Sequence, residues 1–196
     1  MLAIAQKILF EAGQKPEGYA LSAKSLQHLG ERAAIDQALS RLVHSGSLVR
    51  IARGYYVLPI DTRFGRRLPS IERVVSSIME QEGEMFAKSG AAAANALGLT
   101  TQVPVRIVYV TSGSNRELDF GGLKVELRHA PRWQLVNVGK PSGDLVRALE
   151  WIGPEHAGEA ARSFSKRDPD AVKDAAQCAR LLPAWLAKTV TEAALA

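Results

Sequence analysis

An α+β fold in two parts is what this 196-residue sequence predicts, and three observations predict it. Residues 38–59 run as helix, glycine turn and basic β-hairpin without a break, and β-forming runs return at 105–111 and 123–129. From Ser142 onward, apolar residues recur at helical spacing.

Taken in order, Leu2, Ile4, Ala5, Ile8 and Leu9 suit a short first helix ending at Gly13. Ser22 is placed to cap a second helix that carries Leu26 and Leu29 and stops at Gly30. Ile35, Leu39, Leu42 and Val43 mark a third helix over residues 31–45, with Gly46 as its C-terminal stop. Turning about 100° per residue from Ile35 puts Ala33, Gln37, Ser40, Arg41 and His44 on the opposite face. Those side chains are small, polar or basic, as a helix facing a DNA groove requires. Leu48, Val49 and Ile51 then stand across Ala52-Arg53-Gly54 from Tyr55, Tyr56, Val57 and Leu58. Gly54 supplies the positive φ of a three-residue turn, and Pro59 removes a donor and ends the strand. Three helices and a hairpin within about 60 residues have the size and order of a winged helix-turn-helix.

Residues 61–69, DTRFGRRLP, are polar and basic and follow Pro59, so they read as a linker. The expected domains are residues 1–68 and 69–196. In the second, Ser70 caps a helix with Ile71, Val74, Val75, Ile78 and Met79, and another runs from Ser89 to Gly98. Strands are expected at 105–111, 116–118 and 123–129, the last two separated by Phe120-Gly121-Gly122. Leu145, Leu149 and Ile152 mark one later helix, residues 171–182 another, and Pro183 opens a last one at Ala184. A small antiparallel sheet with several helices grouped around it is the expected architecture.

Charge divides the chain as sharply as the patterning does. Residues 1–70 hold ten Lys/Arg and five Asp/Glu, whereas residues 71–196 hold fifteen of each, so the whole formal net charge of +5 lies in the first part. Counterion release attracts such a segment to duplex DNA whatever the sequence of the duplex. Arg41, Arg50, Arg53, Arg63, Arg66 and Arg67 are all arginines, whose planar fork suits phosphate and guanine. The expected DNA-binding residues are Lys24, Arg32, Gln37, Ser40, Arg41, His44, Arg50, Arg53, Tyr55, Arg63, Arg66 and Arg67. Gln37 suits adenine, and Arg50 and Arg53 suit the flanking backbone or the minor groove. Two blander readings compete: a solvated Arg-rich hairpin, and a winged module that binds a partner protein.

Other chemistry finds little support. The turn at Gly113-Ser114 is followed by Asp119 with no second carboxylate at the spacing a two-metal nucleotidyltransferase needs. Asp119-Phe120-Gly121 spells a kinase tripeptide without the kinase's phosphate loop or catalytic loop, and reads as a β-turn. Histidines 28, 44, 129 and 156 are scattered, Gly139-Lys140-Pro141-Ser142 lacks the upstream glycine of a P-loop, and Trp151 and Trp185 sit in helix patterns as core residues. No cofactor, metal or catalytic residue is expected. Cys178, the only cysteine, reads as an inert core thiol in a reducing compartment. Lys7 and Glu11 interrupt the N-terminal apolar stretch, and no run of about 18 uncharged apolar residues occurs, so a cytoplasmic protein is expected.

Four segments together carry a resemblance: LSRLVHSGSLVRIARGYYVLP (39–59), SGAAAANALGLTTQVPVRIVYVTSG (89–113), FGGLKVELRHAP (120–131) and DLVRALEWIG (144–153). In this order they resemble the abortive-infection type IV antitoxin family, most closely its members with a short C-terminal domain. The resemblance implies an N-terminal winged helix that binds inverted repeats in its own promoter and represses it. It also implies a C-terminal domain that counters a nucleotidyltransferase toxin encoded beside it, without a stable complex. The family's helix arginine falls on Arg41, and its basic wing on Arg50, Arg53 and Tyr55. The charged C-terminal surface of longer members has no counterpart in the neutral residues 71–196.

Overall fold

A computed structural model describes residues 3–196; Leu2, expected in the first helix, lies outside the described residues. The chain is mixed α+β, with eight α-helices and three small sheets among the described residues. It divides into two compact units: one holds the chain up to Gly83 together with Glu117–Lys124, the other Glu84–Arg116 and Val125–Ala196.

In the first unit, helix α1 (Ile4–Gln14) buries Ile8 and Ala12 and runs on past Gly13. The α-helix expected from Ser22 does not form. Residues 23–26 make turns and Gln27–Leu29 a single 3₁₀ turn. The reason is local: Ser22 Oγ accepts from the Ser25 N–H and Ser25 Oγ from the Ser22 N–H, both at 3.1 Å, which closes a turn on itself. Helix α2 (Arg32–His44) follows and buries Ile35, Ala38, Leu39 and Leu42. These pack with Ile8, Leu21, Leu26 and Leu48 into one cluster, each large side chain worth about 1.5–3 kcal/mol on burial.

Strands β1 (Val49–Ala52) and β2 (Tyr55–Val57) form the expected hairpin. Its turn is shorter than expected, since Ala52 pairs with Tyr55 and leaves only Arg53 and Gly54 in the loop. A bulge between Arg50 and Ala52 takes up the difference. Gly54 has φ +84°, the left-handed conformation that two-residue turns demand. Leu21 adds a further antiparallel bridge to Tyr56, with N–H to O distances of 2.7 and 2.9 Å.

Residues 61–69 are not a linker. Strands β3 (Ile60–Thr62) and β4 (Gly65–Arg67) make a second hairpin with Arg63 and Phe64 at its tip. The first unit also continues beyond the break expected at residue 68, because helix α3 (Ile71–Glu82) is tied into it. Ser77 Oγ accepts from the Ala20 N–H at 3.0 Å, and Gln81 Nε2 donates to the Ala20 carbonyl at 2.8 Å. Ser70 caps α3 as its sequence predicts, accepting from the Arg73 N–H at 3.4 Å.

Beyond Gly83 come β5 (Phe86–Lys88), α4 (Gly90–Ala96), β6 (Ile107–Thr111), β7 (Arg116–Phe120) and β8 (Leu123–His129). The strand order is β5-β6-β8-β7. The sheet is not purely antiparallel: β5 and β6 are, but β6 and β8 pair in parallel from Ile107↔Val125 to Thr111↔His129. Strand β6 therefore skips its sequence neighbour β7, a choice no local pattern encodes. Helices α5 (Pro141–Ile152), α6 (Pro154–Ser165), α7 (Pro169–Gln177) and α8 (Ala184–Leu195) bury Leu145, Leu149, Phe164, Val172, Leu186 and Val190 against one another. The helix expected over 171–182 is α7, capped by Asp168 and ending at Gln177, followed by a 3₁₀ turn Ala179–Leu181. Helix α4 lies against α5 so closely that a Cβ on Gly90 would come within 2.5 Å of the Arg147 carbonyl. Trp185 is partly buried in this core. Trp151, expected there too, is 42% exposed at the end of α5.

Candidate nucleic-acid interface

The open side of α2 follows from its buried side. With Ile35, Ala38, Leu39 and Leu42 turned inward, Ala33, Gln37, Ser40, Arg41 and His44 are all exposed. Among the described residues, the side chains of Gln37, Ser40, Arg41 and His44 have no hydrogen-bond or ion-pair partner, so their polar atoms are available to a ligand. Arg41 and His44 also sit in the last turn, where the Arg41 charge interacts favourably with the helix dipole. Arg32, at the other end, is spent within the helix, its Nε on Asp36 Oδ2 at 2.9 Å.

The remaining predicted residues fall into two groups. Lys24, in the turn before α2, and Arg53, at the tip of the first hairpin, are exposed and unpaired among the described residues. Arg50 is exposed and donates only to the Ala52 carbonyl at 3.3 Å. Arg63 lies over the Phe64 ring, 4.6 Å from its centroid.

Three others are engaged by the protein itself. The Tyr55 hydroxyl donates to Glu82 Oε1, which makes it a tie between the first hairpin and α3. Arg66 pairs with Asp61 at 2.8 Å and donates to the Gly46 carbonyl at 2.9 Å, tying the second hairpin to the turn after α2. Arg67 reaches Glu17 at 3.3 Å, and Arg73 reaches the same carboxylate at 2.9 Å.

Charge is correspondingly local. Residues 71–83 and 117–124 bring Glu72, Glu80, Glu82, Glu117 and Asp119 into the first unit against only Arg73 and Lys124, which leaves the unit at a formal +2. Electrostatic attraction therefore belongs to the stretch between Lys24 and Arg67, where cations outnumber acids, and not to the unit as a whole.

Elsewhere the polar groups serve structure. Asp119 Oδ1 accepts from the Gly122 N–H at 2.7 Å, closing the turn between β7 and β8. His28 pairs with Glu11 at 2.8 Å, and His129 Nδ1 lies 2.8 Å from the Gly113 carbonyl oxygen. Among the described residues, no three His, Cys, Asp or Glu converge on a point where a metal could sit. No helix of the described residues is long and apolar enough to cross a membrane. Cys178 is half-buried, not fully enclosed.

Residues 7–167 match the model of a family described as "Family of unknown function (DUF6088)". The chain belongs to that family. No curated protein and no solved structure matches it. Membership in this family spans α1 through α6, so both compact units are part of what defines it.

Sequence reasoning overlooked Phe64. It is 86% exposed at the tip of a hairpin whose composition reads as a linker. The signal lay in the order Thr-Arg-Phe-Gly, an apolar ring beside a turn glycine in an otherwise polar run.

Proposed function

We propose that this chain is a winged helix-turn-helix repressor, with turns and one 3₁₀ turn standing in for the helix before α2, that binds inverted repeats in its own promoter and serves as the antitoxin of a type IV toxin–antitoxin pair. The observation that carries the DNA-binding part is the open face of α2. Gln37, Ser40, Arg41 and His44 stand exposed and unpaired among the described residues on a helix whose other side is locked into the core. A helix anchored by its buried face can enter the major groove without first breaking ties made by its outward side chains. The hairpin β1–β2 then corresponds to the wing, and the bridge from Leu21 to Tyr56 supports that correspondence, because it fixes the hairpin to the segment between α1 and α2.

In this reading Gln37 contacts adenine and Arg41 guanine or a nearby phosphate. Arg50 and Arg53 hold the flanking backbone or the minor groove, with Lys24 and Arg63 extending the basic track. Arg66 and Arg67 position the second hairpin through their ion pairs. The antitoxin part rests on the resemblance of residues 89–113, 120–131 and 144–153 to the antitoxin family, and its partner is a nucleotidyltransferase encoded alongside, countered without a stable complex.

The test is a mobility shift of the full chain on the DNA immediately upstream of its coding sequence, run over a salt series. Retention that weakens steeply with salt and exceeds that of an unrelated duplex is the expected result. Failure to retain any duplex at low salt overturns the reading in favour of a protein-binding module. Growth rescue by this chain against the adjacent nucleotidyltransferase tests the second role.

A further inference from the structure

We infer that Phe64 is a wedge that inserts between stacked bases of the bound duplex, so the second hairpin is a further DNA-binding element. The inference rests on the DNA-binding reading above and adds to it a site and a mode of contact.

Three features of the hairpin tip point the same way. Phe64 is 86% exposed even with Arg63 against its ring, so an aromatic face is held out in water. The backbone beneath it is fixed: Thr62 Oγ1 accepts from the Phe64 N–H at 3.2 Å and donates to the Gly65 carbonyl at 2.7 Å. The hairpin itself is anchored beside the end of α2, because Arg66 donates to the Gly46 carbonyl at 2.9 Å while pairing with Asp61. A braced apolar tip with a cation beside it is the design by which minor-groove proteins part a base step. Here the ring would enter the step as Arg63 swings off its face to meet the phosphate beside the opening.

Other exposed apolar residues lack this setting. Phe10, 71% exposed, is on a helix face shared with Glu11 and Gln14, and Val103 and Val105 stand outside any strand or helix. None sits on a turn braced by its own hydrogen bonds between arginines.

The experiment uses the full chain and short duplexes tiling the DNA upstream of its coding sequence, with 2-aminopurine placed at successive adenines. The expected result is a rise in 2-aminopurine emission at one step on binding. Phe64→Ala should abolish the rise and bind about tenfold more weakly, while Phe64→Trp should keep the rise and show quenched indole emission. Circular dichroism of each variant checks that this exposed tip has not altered the fold. Binding by the native chain without any rise in emission overturns the wedge and leaves the DNA-binding reading standing. A rise that survives Phe64→Ala also overturns it. No retention of any duplex by the native chain overturns both. If Phe64→Ala instead changes the sedimentation of the free protein and leaves the emission intact, the ring is a protein contact and the wedge is refuted.

Discussion

At the scale of single residues, the same side-chain type serves opposite ends according to what surrounds it. Arg53 projects from a two-residue turn with no partner among the described residues, whereas Arg147 is 1% exposed in the middle of α5. Arg53→Ala should weaken DNA binding evenly across sequences and flatten the salt dependence by about one unit, because one phosphate contact is lost. Gln37→Ala should instead leave the salt slope unchanged and relax preference at one base position, which a selection from randomised duplexes would reveal. For Arg147 the expected effect is on stability. Burial pulls its pKa below the usual arginine value, the Asp144 carboxylate opposes that, and its Nη1 donates to the Gln134 carbonyl at 2.9 Å. Its Nε has no partner among the described residues. Arg147→Ala strands a carboxylate and a carbonyl and opens a cavity, so a loss of about 3–5 kcal/mol is expected in denaturant unfolding. Arg147→Met fills the space and should cost less, which separates the packing contribution from the polar one.

At the scale of elements, legibility followed the chemistry of each segment. Helices α2 and α3 could be read because large aliphatic residues recur on one face and a serine or glycine marks an end. Ser70→Ala should accordingly cost about 1 kcal/mol, measurable as a shift in the unfolding midpoint. The Ser22–Ser25 turn misled for the opposite reason, since a hydroxyl that can cap a helix can equally close a turn, and only the partner chosen decides. The β3–β4 hairpin has three-residue strands with no buried alternation, so nothing in its pattern separates it from a loop. Helix α6 escaped notice because its buried face is Ala157, Ala161 and Phe164, mostly too small to stand out as a period. Of the interface, the free face of α2 and the tip Arg53 were legible from spacing. The ties of Tyr55 to Glu82 and Arg67 to Glu17 were not, since each joins residues far apart in sequence.

At the scale of the molecule, the first unit is discontinuous: it draws in Glu117–Lys124 across a stretch of chain that belongs to the second. A fragment ending at Gly83 therefore lacks part of the unit it is meant to represent, and should melt at a lower temperature than the same residues do within the whole chain. Calorimetry of the fragment beside the full protein checks this. DNA-binding assays are accordingly better made on the intact chain than on an amino-terminal piece.

The returning segment also sets an order of events during synthesis. On the ribosome, the amino-terminal unit cannot close over its last strand until residue 124 has cleared the exit tunnel, by which time more than half of the polypeptide has been made. Under the repressor role proposed above, any grip on an operator that needs the finished unit must wait for that moment, and a nascent chain arrested earlier would leave the operator empty.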